Sequence, residues 1–122
     1  KDIITKPRQT SRVLRLKGEN MDKFTILVIY TLKNQGDREA IVKEMLESGV
    51  LNAIRNEDGC ISYDYYYPVE NAKELVLYER WESPEHQKVH MIQPHMKTAK
   101  EITSKYVESV KVKKIDLADL KL

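Results

Sequence analysis

The segment FTILVIYTL, Phe24 to Leu32, constrains what this chain can fold into more than any other. Every residue in it is apolar or β-branched, which is the composition of a strand. Successive side chains of a strand point to opposite sides. Phe24, Ile26, Val28, Tyr30 and Leu32 therefore share one face, and Leu27 and Ile29 lie on the other. Both faces are apolar, so both need cover.

The remaining segments supply the rest of a sheet and its helices. Asn34-Gln35-Gly36-Asp37 reads as a turn, and Asp37 is suited to cap a helix in which Ile41, Met45 and Leu46 recur at helical spacing. Gly49 breaks that helix, and Val50, Leu51 and Ile54 form the apolar stripe of a second piece. Asp58-Gly59 turns the chain into CISYDYYYPV, a tyrosine-rich strand expected to end near Pro68. After a hairpin loop at Glu70 to Lys73, ELVLYERW alternates again, with Leu75, Leu77, Glu79 and Trp81 on one face and Val76, Tyr78 and Arg80 on the other. Ser83-Pro84 is a helix start, because Ser caps exposed N–H groups and Pro at the first helical position has none to lose. Pro94 splits the helical stretch begun there. The longer helix beyond it carries Met96, Ala99, Ile102 or Thr103, and Tyr106 on one stripe, and YVESVKVKKI supplies the last strand. The order β-α-β-β-α-β is the ferredoxin-like α+β pattern, an antiparallel sheet with helices on one face. The other face, with Leu27 and Ile29, would stay exposed in a monomer, so a homodimer packed sheet to sheet is expected.

Composition narrows the class. With 122 residues, 41% of them hydrophobic and 33% charged, and only four Gly and four Pro, the chain suits one globular domain and neither disorder nor a collagen-like repeat. The single cysteine, Cys60, cannot form an internal disulfide, and no run of about 18 apolar residues is present to cross a bilayer. A cytoplasmic setting is expected, with no membrane partner. Residues 1–20 hold six Lys/Arg against two Asp/Glu and form a basic arm, read either as an extra strand using Val13, Leu14 and Leu16 or as an extension upstream of a natural start at Met21. The arm lacks interleaved aromatics and any DNA-reading motif, so no nucleic-acid partner is expected. The expected organisation is this arm, one domain over residues 21–115 and a tail over 116–122.

Tyr78 to Lys97, YERWESPEHQKVHMIQPHMK, contains the only Trp and all three His. Three readings are open for His86, His90 and His95. His86 and His90 stand four apart and would share a helical face, as paired metal ligands do. Gln87 follows His86, however, so the HExxH pattern is absent and no metal site is expected. In the second reading they are surface histidines on a short helix, which fits His86 best. In the third, His90 or His95 turns into a pocket, where an imidazole titrating near neutrality can take or give a proton. No Rossmann glycine-rich turn, P-loop, cysteine pair or Ser-His-Asp order supports a nucleotide, iron–sulfur or hydrolase reading.

The segment LVLYERWESPEHQKVHMIQPHMK, preceded by DGCISYDYYYPVENAKE, resembles the antibiotic biosynthesis monooxygenase domain family. The matching features are the Gly59-Cys60 turn into a strand, Glu79-x-Trp81-Glu82-Ser83, His90 eight residues after Glu82, and Pro94-His95. They place the resemblance over about Met21 to Val112. The resemblance implies a dimeric α+β barrel. It also implies kinship with cofactor-free monooxygenases of quinols and polyketide aromatics, with haem-degrading enzymes and with an isomerase of a signalling sugar derivative. Carried over residue by residue, it singles out Glu79, Trp81, His90 and His95. Haem-degrading relatives use Asn, Trp and His where this chain has Tyr30, His90 and Lys100, and a lysine is a poor substitute for an axial imidazole. Haem degradation is therefore not expected.

Together these readings imply a pocket lined by Tyr30, Tyr63, Tyr65, Tyr66 and Trp81, suited to a flat aromatic substrate. The competing reading of the tyrosines is a ladder at the dimer interface. The expected function is a cofactor-independent monooxygenase that oxidises a quinol or polyphenol with O2. His90, helped by His95, would remove a phenolic proton, and Glu79 would orient a histidine or pair with Arg80 or a lysine. An isomerase or lyase of a small carbonyl compound and a non-enzymatic binding or stress-responsive dimer are the alternatives.

Overall fold

A computed structural model describes residues 23–116; the basic arm and residues 117–122 lie outside it. Eight elements follow one another: β1 (Phe24–Leu32), α1 (Asp37–Glu47), α2 (Val50–Arg55), β2 (Cys60–Tyr66), β3 (Glu74–Trp81), α3 (Pro84–Met91), α4 (His95–Ser104) and β4 (Val107–Ile115). The strands form one sheet in the order β2-β3-β1-β4, with every neighbouring pair antiparallel. This is the expected ferredoxin-like α+β fold, with each half contributing a helical layer in two pieces.

β1 lies in the interior of the sheet, between β3 and β4, and its inner face is apolar from Phe24 to Leu32. Ile26, Val28 and Leu32 are buried there beside Leu75 and Leu77 of β3. Ile41, Met45, Val50, Leu51, Ile54, Met96, Ala99 and Ile102 complete the core from the helices. Burying a side chain of this size contributes roughly 1.5–3 kcal/mol. The opposite face, with Leu27 and Ile29 of β1 and Val76 and Tyr78 of β3, is half-buried.

Several local details differ from the expectations. Asp37 does not cap α1. Gly36 takes the cap position with φ 92°, and the Asp37 carboxylate turns back to accept from the Asn34 N–H at 2.8 Å, which closes the turn instead. Leu46 is 56% exposed and leaves the core stripe. β2 stops at Tyr66, short of Pro68. Gly49 does break the helix, with φ 84° at the start of α2. Ser83 does cap α3, its side chain accepting from the His86 N–H at 3.2 Å with Pro84 in the first turn.

The turn before β2 is where backbone and side-chain packing meet most tightly. Gly59 has φ 82°, and a Cβ placed on it would sit 2.2 Å from Cδ2 of His86. Gly36 has a similar φ but nothing within 4 Å of such a Cβ. Gly36→Ala should therefore cost about 1–2 kcal/mol, the backbone penalty alone. Gly59→Ala should cost clearly more, because the His86 ring must also be displaced. Urea unfolding of the two variants checks this, and equal losses would show that the ring moves aside freely.

Candidate functional site

The register of the sheet sets the floor of the site. Ile26 of β1 and Tyr63 of β2 both stand opposite Glu79 of β3, and one step along Val28 and Tyr65 both stand opposite Leu77. Between these rows and the helices lies a cavity of about 310 Å³. Ile26, Val28, Met45, Met91, Met96 and Ala99 give it apolar walls, and Val110 and Val112 of β4 line it too. Its polar groups are Tyr30, Tyr63, Tyr65, Glu79, Gln87, His90, Lys100 and Thr103. The volume lies at the small end of the range for ligand sites and suits a ring system of modest size.

His90 is the most buried polar side chain around this cavity, at 1% exposure. Its ring lies over Trp81, with centroids 4.7 Å apart and planes tilted by 33°, and meets the Tyr63 ring at 5.5 Å. Nδ1 is 3.1 Å from both carboxylate oxygens of Glu57, which follows α2. A neutral imidazole that donates Nδ1–H to a carboxylate keeps Nε2 as its acceptor nitrogen. His95, at the start of α4, brings Nε2 to 2.5 Å from Oε2 of the same carboxylate. The Glu57 side chain is 9% exposed and that of His95 25%.

Burial lowers the pKa of His90, and the hydrogen bond and charge of Glu57 only partly offset it. The ring is thus neutral near pH 7 and able to accept a proton. Glu79 shifts the other way. Burial pushes its carboxyl up to about 7, opposed by the hydrogen bond that Trp81 Nε1 donates to Oε1 at 3.0 Å and reinforced by the charge of Glu57. Burial also raises the phenols of Tyr30, Tyr63 and Tyr65 above their ordinary value, with the charge of Glu79 adding to it. At neutral pH the cavity therefore presents the neutral imidazole of His90, one carboxyl near its midpoint and three neutral phenols, with the Lys100 side chain beside them. Such a set can take a proton from a flat ligand and return it.

Of the residues singled out in the sequence, the fold brings Tyr30, Tyr63, Tyr65, Glu79 and His90 to this one cavity, and Lys100 joins them there. Trp81 is fully buried and lies behind His90 rather than in the wall. His95 reaches the site only through Glu57. Tyr66 is 57% exposed and is not part of the cavity, since strand alternation turns it away from Tyr65. His86 lines a separate groove with Glu57, Asp58, Glu85, Val89 and Gln93. Its Nδ1 is 2.7 Å from Ser83 Oγ and its Nε2 3.4 Å from Asp58. Glu79, expected to orient a histidine, binds the Trp81 indole, and the orienting carboxylate is Glu57. Sequence reasoning passed over Glu57 because it stands alone before a turn with no periodic partner. Among the described residues no group of three or more His, Cys, Asp or Glu is placed to hold a metal ion.

Residues 25–102 match the sequence profile described as antibiotic biosynthesis monooxygenase. The chain belongs to the antibiotic biosynthesis monooxygenase family. No curated protein matches it. Solved structures similar to it include a conserved protein from Methanosarcina mazei, with TM-score 0.69 and 20% identity over 83% of this chain and 98% of that one. A Nitrosomonas europaea protein proposed to be an antibiotic biosynthesis monooxygenase has TM-score 0.67 and 20% identity over 80% of this chain and 91% of its own. A Bacteroides thetaiotaomicron protein of unknown function, suggested to be an oxidoreductase, has TM-score 0.65 and 21% identity over 79% and 98%. At these identities the likeness establishes the shared fold.

Glu79 makes a prediction about stability. A carboxyl whose folded pKa is raised from 4.5 to about 7 favours the folded state below pH 4.5, and that contribution is lost as pH rises through 7. The loss amounts to roughly 3 kcal/mol. His90, with a lowered folded pKa, acts oppositely and loses stability as pH falls below about 6.5. Glu79→Gln keeps an acceptor for Trp81 and removes the carboxyl. Relative to the wild type, it should gain stability progressively from pH 5 to pH 8 in guanidinium unfolding. A difference independent of pH would show that Glu79 does not titrate in this range.

Proposed function

We propose that this protein is a cofactor-independent monooxygenase that oxidises a hydroquinone-like or polyphenolic molecule with O2. The observation that carries the reading is His90, a buried, neutral imidazole held by Glu57 at the wall of an apolar cavity edged with phenols. Removing a phenolic proton makes an electron-rich anion that can pass an electron to O2 without flavin or metal. His90 Nε2 is the base for that step. Apolar walls then keep water from the radical pair. Recombination forms a carbon–oxygen bond, and loss of water leaves a hydroxyquinone. One hydroquinone and one O2 give one hydroxyquinone and one water, so atoms and electrons balance with no further reductant. Tyr30, Tyr63 and Tyr65 supply hydrogen-bond donors to the substrate's oxygens. The single, buried Cys60 accords with a reducing cytoplasm.

An isomerase or lyase acting on a small carbonyl compound is the second reading. Glu79 favours it, because a carboxyl poised near pH 7 in the same cavity as a basic imidazole suits proton transfer without oxygen. Oxygen uptake across a panel of hydroquinones separates the two readings. Uptake with none of them, together with turnover of a carbonyl substrate, would replace the first by the second.

His90→Ala should lower turnover at least about a hundredfold, the lower bound for a positioned acid–base group. His86→Ala, outside the cavity, should change it by no more than about twofold once folding is confirmed by circular dichroism. Equal, small effects would remove His90 from the mechanism.

The half-buried apolar outer face of the sheet supports a homodimer, with Leu27, Ile29, Val76 and Tyr78 covered by a second copy. Light scattering at micromolar concentration should give twice the chain mass. A monomer would require another account of that face.

A further inference from the structure

His90 is almost sealed from water, yet the proposed chemistry asks it to accept a proton and give one back. The proton on its other nitrogen points at Glu57, 3.1 Å away, and the same carboxylate lies 2.5 Å from Nε2 of His95. Exposure rises along this row, from 1% at the His90 side chain to 9% at Glu57 and 25% at His95. Each contact is within hydrogen-bonding distance, and each group can both accept and donate a proton.

We infer that Glu57 and His95 form a proton path between His90 and the protein surface. This rests on the reading of His90 as the base. When His90 Nε2 takes the phenolic proton, its Nδ1 proton passes to one oxygen of Glu57 as the proton shared between the other oxygen and His95 Nε2 moves onto that imidazole, and His95 releases its Nδ1 proton to solvent. When the peroxide oxygen must leave as water, the protons run back along the same groups. Both imidazoles return to their starting tautomers and no net proton is released, as the overall balance requires. The other titratable groups that line the cavity with His90 are Tyr30 on β1, Tyr63 and Tyr65 on β2, Glu79 on β3 and Lys100 on α4, and of these Tyr63 is in ring contact with it. Tyr63, whose phenol stays protonated, and Glu79, whose hydrogen bond goes to Trp81, offer no comparable route to the surface. Glu57 and His95 are positioning and relay groups rather than catalytic residues, since neither lines the cavity.

A merely structural role, fastening the start of α4 to the segment after α2, would leave proton movement untouched. A test that needs no substrate is the exchange of the His90 ring Nδ1 proton with water, measured by NMR on protein labelled with nitrogen-15 at histidine. In the wild type this buried proton should exchange readily. In His95→Gln, which keeps a donor for Glu57 but cannot relay, exchange should slow at least about tenfold, as expected when a buried group loses its route to solvent. Should that variant not fold, Glu57→Gln serves in the same measurement. An unchanged exchange rate overturns the path, whatever the enzyme does with oxygen.

With an active hydroquinone, His95→Gln should lower kcat about tenfold, less than loss of the base itself, with KM nearly unchanged. Added imidazole should restore the rate. A loss that imidazole does not restore also overturns the path. Slowed exchange in a protein that consumes no oxygen with any hydroquinone would leave the path standing and overturn the monooxygenase reading alone.

Discussion

A buried imidazole must have somewhere to put its N–H, and meeting that need at His90 arranges most of what surrounds it. Leaving a buried donor unpaired costs about 1–3 kcal/mol. Glu57 meets the need, but a carboxylate brought to 9% exposure requires donors of its own. His95 supplies one. The segment after α2, the inner face of α3 and the first residue of α4 are thereby tied together by one carboxylate. Trp81 completes the arrangement from below, giving the ring a flat apolar bed at 4.7 Å.

The same burial that creates the site also destabilises part of it. Glu79 sits opposite both Ile26 and Tyr63, where an ionised carboxylate is poorly solvated, and it accepts its hydrogen bond from an indole N–H. An aliphatic residue at that position would continue the row of Leu75 and Leu77 at no such cost. A polar group kept in an otherwise apolar stripe, with a pKa moved toward neutrality, is the pattern of a site whose chemistry opposes its stability.

Strand and helix positions were readable from periodicity because burial on one face forces it. β1 and β3 alternate cleanly, and Ser83-Pro84 and Gly49 mark ends by local backbone chemistry. Asp37 misled because its carboxylate accepts the Asn34 N–H and closes the turn, while Gly36 takes the cap position. In the site, Tyr30 and Glu79 were legible as members of alternating strand faces, Tyr63 and Tyr65 only as part of a tyrosine-rich strand, and His90 through the family resemblance of its segment. Tyr66 carried the same residue type with the opposite parity, so alternation within β2 separates it from Tyr65. Glu57 was not legible, since what selects it is distance in space to two imidazoles 33 and 38 positions later. No periodic pattern records a contact of that kind.

The close approach of Gly59 to His86 bears on how the site moves. The carbonyl of Gly59 also accepts the Glu82 N–H at 2.8 Å, so the turn before β2 is clamped to the entry of α3 by a backbone bond and by ring contact. Glu57 lies two residues ahead of that clamp, and His90 lies one turn of helix beyond His86. Both ends of the Glu57–His90 hydrogen bond are thus attached to one clamp, an arrangement that limits how far the carboxylate and the ring can part when α3 shifts.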